Sequence, residues 1–126
     1  QYYINLFKDL AEGILKTQDD RGSWHASLLD SDSYPLPENS ASAFFCYGIA
    51  WGIRNGLLDR RTYMEPVLRA WATLCSYIHK DGKMGYIQPV GHDPKPADEN
   101  TTDVYGIGAF LLAGSEIMKL EKNNQK

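Results

Sequence analysis

The 126-residue chain has few cysteines, no excess of basic residues and no long apolar run. Its two cysteines, Cys46 and Cys75, are too few for a disulfide framework or a zinc site. Each lies in an apolar helical pattern, so we expect both to be buried, reduced and structural. The net charge of −3 argues against a nucleic-acid partner. No apolar stretch reaches the roughly 18 residues that cross a bilayer, so we expect no membrane partner.

Strand-like alternation is also missing, whereas four segments have a helical period. The first and third are amphipathic, which predicts outer helices with one buried face; Tyr3, Phe7, Leu10 and Ile14 form the apolar stripe of the first. The second and fourth are apolar nearly all round, which predicts inner helices. The four helices are expected at about 3–17, 40–55, 62–80 and 101–120.

Two helix starts have capping signals in the sequence. Asn39 or Ser40 is expected to cap the second helix. Thr62 and Glu65 have the spacing of a capping box at the start of the third. Gly56 is expected to end the second helix as a C-terminal cap.

The chain also contains an internal repeat of about 60 residues. The turn at 20–22 (Asp-Arg-Gly) matches the turn at 80–82 (Lys-Asp-Gly), and each is followed by an aromatic residue, Trp24 or Tyr86, and a proline-containing loop. A repeat that pairs an outer with an inner helix is typical of stacked helical arrays. A short strand pair within these loops is compatible with this pattern.

Two hairpins of this kind are too few to close a ring. An inner helix that is apolar on every side needs neighbours on both flanks. We therefore expect an all-α fold in which the chain lacks part of its own domain, or covers its apolar surface with another copy of itself.

Three blocks of sequence resemble one known family. They are RGSWH at 21–25, SASAFFCYGIA at 40–50 and YGIGAFLLAGSE at 105–116. Their order and spacing resemble the last third of glycoside hydrolase family 105, the unsaturated rhamnogalacturonyl hydrolases. The resemblance implies a partial (α/α)6 toroid of about two helical hairpin repeats, with residues 1–126 as the C-terminal part of the hydrolase domain.

The resemblance also implies an activity and a substrate partner. Members of the family remove an unsaturated galacturonyl residue from the non-reducing end of pectin-derived rhamnogalacturonan oligosaccharides. An aspartic acid protonates the vinyl ether, water adds, and the hemiketal collapses to release the sugar, with no metal or other cofactor. The family's aspartate lies earlier in the barrel, and nothing here matches its motif. We therefore expect no catalytic residue in this chain, which alone should be inactive.

Four residues are candidates for substrate binding. Trp24 and His25, on a loop at the mouth of the barrel, are candidates for stacking on a sugar ring and bonding its hydroxyls. The alternative is that Trp24 packs the loop onto the helices and His25 is a turn residue. Tyr105 and Ser42, near the starts of the inner helices, are candidates for the cleft, against core packing and plain capping. His79 and His92 have no metal-ligand spacing and are expected to lie at the surface, so no metal site is expected.

Two other functions remain open at this point. One is a non-catalytic helical-repeat scaffold or sugar-binding module that completes its core by self-association. The other is a different toroid enzyme, such as an epimerase of mannose or N-acetylglucosamine, because ring folds host many chemistries.

Overall fold

The computed structural model of the chain describes residues 1–91 and 93–123. His92, predicted to lie at the surface, and residues 124–126 lie outside the described residues. Within these ranges the chain forms four α-helices in the expected order, and none is long and apolar enough to span a membrane. The helices are α1 (Tyr2–Leu15), α2 (Asn39–Arg54), α3 (Arg60–Ser76) and α4 (Val104–Asn123).

The helices form two layers. The inner helices α2 and α4 share the most extensive helix–helix contact, and α3 packs mainly on α2 and less on α4. The side chain of Phe7 in α1 meets the ring of Trp51 in α2 edge to face, with ring centroids 5.9 Å apart. This outer, inner, outer, inner order is that of a partial α/α toroid, which confirms the expected fold class.

Glycines let the layers approach closely at two points. A Cβ on Gly52 would lie 2.8 Å from side-chain atoms of Phe7 and Leu58, so α1 and the α2–α3 joint press directly on α2. A Cβ on Gly114 would lie 2.8 Å from Trp71, whose ring stacks on Phe110. Of the two glycines within α2, Gly52 shows this close approach, whereas a Cβ on Gly48 would have no neighbouring atom within 4 Å.

The helix caps differ from the expected ones. α2 is capped by the side chain of Glu38, which accepts from the backbone N–H of Ser40 and of Ala41. α3 is capped by Asp59, which accepts from the N–H of Thr62. The predicted caps at Asn39, Ser40 and Thr62 were wrong because an acceptor just before the helix reaches the same free N–H groups and interacts favourably with the helix dipole.

The internal repeat appears as a shared hydrogen-bond pattern. Asp19 N–H donates to the Ser23 carbonyl, and His79 N–H donates to the Lys83 carbonyl in the same way. The turns pass through Gly22 (φ 98°) and Gly82 (φ 85°), where a side chain would be strained. Each loop also contains one isolated antiparallel bridge, so the expected strand pairing is reduced to single bridges among the described residues. By this register the buried Trp24 corresponds to the buried Met84 and not to Tyr86.

Large apolar side chains are exposed on two helices at opposite ends of the chain. On α1, Tyr3 and Leu10 are 81% and 55% exposed, which contradicts the expected buried stripe. On α4, Val104 and Leu111 are 84% and 64% exposed. These residues match a helical period but have no partner helix within the described residues.

The two cysteines have different environments. Cys46 is fully buried, and burial raises the pKa of its thiol to about 12. Cys75 lies exposed on α3, so the prediction that it is buried was wrong. Its position follows Leu74, and it is Leu74 that faces the core.

Candidate functional site

An open cleft of about 380 Å³ lies where the two long loops meet the N-terminal ends of α2 and α4. The α1–α2 loop and the α3–α4 loop contribute its walls, and the first turn of α2 contributes its floor. Apolar side chains such as Leu28 and Phe45 line part of it. Its polar lining comes from His25, Glu38, Ser40, Gln88, Asp93 and Tyr105.

Glu38 is the buried acidic residue of this cleft, with 5% of its surface exposed. Its carboxyl oxygens accept from the Ser40 hydroxyl at 2.7 and 2.9 Å and from the Ala41 N–H at 2.7 Å. They also accept from the N–H of Gln88, 3.0 Å away on the other loop. Glu38 therefore caps α2 and joins the two loops, and its acceptor positions are already occupied by protein donors.

Gln88 and Tyr105 continue this network. The Tyr105 hydroxyl donates to the Gln88 carbonyl, and its oxygen lies 3.5 Å from the Ser40 hydroxyl, whose proton is donated to Glu38. The Gln88 side chain pairs with the backbone of Lys95, accepting from its N–H at 2.8 Å and donating to its carbonyl. Gln88 is thus bonded to Glu38 through its backbone N–H and to Lys95 through its side chain, and its carbonyl holds the Tyr105 hydroxyl in place.

His25 lines the cleft, but both of its ring nitrogens contact protein atoms. Nδ1 lies 3.0 Å from the Tyr34 carbonyl oxygen and 3.1 Å from that of Leu36. Because carbonyl oxygens only accept, Nδ1 carries a proton. Nε2 lies 3.1 Å from Oδ2 of Asp19. His25 therefore holds the α1–α2 loop in shape, as the turn interpretation of this residue anticipated.

Trp24 and Ser42 lie below the cleft and not in it. Trp24 is fully buried, its indole N–H donates to the Ile14 carbonyl, and its ring meets Phe45 edge to face. The expectation that Trp24 is exposed for stacking on a sugar was wrong, because the ring fills the space between α1 and α2. Ser42 is 1% exposed; its hydroxyl accepts from the Trp24 N–H and donates to the Glu38 carbonyl.

The structure thus brings His25 and Tyr105 to the cleft, together with Glu38, Ser40 and Gln88, which sequence reasoning did not select as site residues. The signal for Glu38 was its position directly before an inner helix, where an acceptor caps the free N–H groups. For Gln88 the signal was its place in a proline-containing loop, which the sequence allows to rim the cleft. The described residues contain no group of three or more ligand side chains that would hold a metal ion.

Comparison with known proteins shows which family has this sequence and fold. The family model of Glycosyl Hydrolase Family 88 matches residues 1–121. A curated relative from Formosa agariphila, named an unsaturated 3S-rhamnoglycuronyl hydrolase, is 46% identical over 121 residues, which are 96% of this chain and 32% of that protein. The chain thus spans about a third of the length of this curated relative.

Two solved structures have the same fold over nearly the whole chain. A family 88 glycosyl hydrolase from Bacteroides vulgatus is 43% identical with a TM-score of 0.88, over 94% of this chain and 35% of that one. A possible member of the GH105 family from Salmonella enterica is 25% identical with a TM-score of 0.80, over 95% and 32% of the two chains. The resemblance found in the sequence blocks is confirmed, and the chain belongs to glycosyl hydrolase family 88.

Proposed function

We propose that the parent protein, meaning the complete polypeptide that carries this chain, is a glycoside hydrolase that removes an unsaturated uronyl residue from the end of an oligosaccharide. The observation that carries this proposal is the 46% identity, over 121 residues, to a relative named an unsaturated 3S-rhamnoglycuronyl hydrolase. The open, polar-rimmed cleft at the loop ends of the inner helices supports it, because ligand sites are concave and carry a few placed polar groups.

In this proposal the chain supplies a wall of the substrate cleft and no catalytic acid. Glu38 is the buried carboxyl group of the cleft, and its acceptor positions are filled by four protein donors on three residues. A group that fixes two loops in this way is a poor proton donor to a substrate, because its release would uncap α2. Asp93, the other carboxyl group of the cleft, lies exposed on the α3–α4 loop. We infer that the acid that protonates the double bond belongs to the remaining part of the parent protein, where the resemblance places the family's aspartate, as does the site where water adds.

The exposed apolar faces of α1 and α4 support the incomplete ring. Leu10 on α1 and Leu111 on α4 each present more than half of their surface to solvent. The curated relative is about three times longer than the matched segment. We propose that the rest of the parent domain packs on both faces, and a second copy of this chain is the competing occupant.

Substrate identity is the finer part of the proposal. The resemblance points to unsaturated galacturonyl groups on pectin-derived oligosaccharides, and the curated relative carries a rhamnoglycuronyl name. Both substrates present an unsaturated uronyl group linked to rhamnose. The two classes are therefore compared directly in one assay.

The deciding experiment follows the ultraviolet absorbance of the substrate's double bond in the parent protein and in the 126-residue chain. The parent protein is expected to lower the absorbance of at least one of the two substrate classes, because it removes the double bond. The short chain is expected to lower the absorbance of neither. Activity in the short chain would show that the catalytic residue was assigned wrongly. A parent protein inactive on both classes, with a concentration-dependent oligomer of the short chain, would favour the scaffold instead.

A further inference from the structure

A second groove of about 260 Å³ adjoins the cleft. The two share Ala26, Gln88 and Pro94 in their linings, so the groove continues the cleft away from the inner helices. One wall is the segment 33–36 of the α1–α2 loop, and the other is the segment 94–97 of the α3–α4 loop. Cleft and groove together lie within the ~300–1,000 Å³ that ligand sites commonly occupy.

Both walls of the groove are fixed by side chains that project from the cleft. The first wall is held by His25, whose Nδ1 contacts the carbonyl oxygens of Tyr34 and Leu36. The second is held by the Gln88 amide, which pairs with both backbone groups of Lys95. These contacts occupy backbone groups of the walls, and the prolines 35, 94 and 96 restrict their conformations. The groove is therefore preorganised, which lowers the entropic cost of binding.

The lining of the groove has a defined chemistry. Tyr34, Leu36 and the prolines present apolar surface, and the ring of Tyr34 also carries a hydroxyl group. Lys95 adds a positive charge, whereas the polar lining of the cleft includes Glu38 and Asp93. Apolar and aromatic walls with few polar groups suit the C–H face of a sugar ring, and a cation suits an anionic substituent on the same sugar chain.

We propose that this groove is a subsite for the sugar units that follow the terminal uronyl residue in an acidic oligosaccharide. The inference rests on the proposed function, because it takes the cleft as the place where the terminal residue enters. Tyr34 packs on the ring of a following sugar, Lys95 faces its anionic group, and His25 and Gln88 are positioning residues that hold the two walls.

The test compares an unsaturated disaccharide with an unsaturated tetrasaccharide of the same polymer, using the parent protein. Wild type is expected to have the higher kcat/KM on the tetrasaccharide. Tyr34→Ala should lower kcat/KM on the tetrasaccharide by roughly tenfold, equivalent to ~1.4 kcal/mol, mainly through KM, with a much smaller change on the disaccharide. The matched control is Leu29→Ala, because Leu29 is 94% exposed on the same loop and lines neither groove nor cleft.

A second variant tests the charge separately from packing. Lys95→Met should lower kcat/KM on the tetrasaccharide at low salt and weaken its dependence on salt, because screening already reduces the attraction at high ionic strength. Lys80→Met, on the exposed turn before the same loop, should change neither quantity. If Tyr34→Ala does not fold, the comparison of Lys95→Met with Lys80→Met alone tests the subsite.

Two further outcomes would overturn the inference in distinguishable ways. The subsite would be ruled out if Tyr34→Ala or Lys95→Met lowered kcat/KM equally on both substrates, or if wild type did not prefer the tetrasaccharide. Either result would leave the proposed hydrolase intact. A wild type inactive on the oligosaccharides of both substrate classes would remove the proposed function, and the subsite with it.

Discussion

Removing the Glu38 carboxyl group tests how the two loops are joined. In Glu38→Ala, α2 loses its N-terminal cap, and the Gln88 N–H loses its acceptor at 3.0 Å. The loss of a helix cap costs ~0.5–2 kcal/mol, and an unsatisfied buried donor costs ~1–3 kcal/mol. We expect the variant to lower the free energy of unfolding of the parent protein by roughly 2–4 kcal/mol.

The assay is urea unfolding combined with amide hydrogen exchange. The exchange rates at Ala41 and Gln88 should both rise in Glu38→Ala, because their N–H groups donate to the missing carboxyl. Glu38→Gln keeps one acceptor oxygen and should lose about half as much stability. Glu65→Ala is the matched control, because Glu65 lies exposed in an i,i+4 pair with Arg69 that contributes ~0–1 kcal/mol.

If Glu38→Ala unfolded at the same urea concentration as Glu65→Ala, with unchanged exchange at Gln88, the carboxyl would not join the loops. Faster exchange at Ala41 alone would show that Glu38 is a helix cap and nothing more.

Three further predictions concern the helices and the loop behind the cleft. Burial raises the pKa of Glu116, but hydrogen bonds from Arg54 and a neighbouring lysine outweigh it and hold the pKa below the usual value. The stabilisation from the Arg54–Glu116 pair is therefore present above pH 4.5 and is lost as the pH falls through the lower pKa of the folded state. The difference in free energy of unfolding between wild type and Arg54→Gln should therefore become smaller in acid, as measured by urea unfolding at a series of pH values. Gly85→Ala should lower Tm by several degrees, because a Cβ would overlap the backbone of the same loop; an unchanged Tm would contradict the close approach. In peptide mapping after native alkylation, Cys75 should be modified and Cys46 protected, since the thiol of Cys46 is buried with a pKa of about 12; equal modification would contradict the burial.

The order and type of the helices were predictable because they rest on local periodicity. The buried faces of α2 and α4, and the turns at Gly22 and Gly82, follow from residue types within a few positions of each other. The amphipathic stripe of α1 predicted the helix correctly, but it predicted buried side chains at Tyr3 and Leu10, which are exposed. A stripe predicts that a helix packs on a partner, but it does not say which segment that partner is.

The cleft was harder to predict, because its geometry depends on contacts between distant residues. Glu38 and Gln88 are 50 positions apart, and only the fold brings them together. Trp24 was misread because an aromatic residue after a turn has the same local pattern whether it is exposed or buried. Its hydrogen bond to Ile14 crosses from the loop to the end of α1, which sequence spacing alone does not reveal.

We propose that this chain supplies cleft walls to a uronyl hydrolase whose catalytic acid lies outside it. The most direct measurement mixes the 126-residue chain with the remaining part of the parent protein, each made separately, and follows the loss of the double bond's absorbance. We expect activity in the mixture and none in either part alone. Activity in this chain by itself, or unreduced activity in the remaining part without it, would contradict the claim.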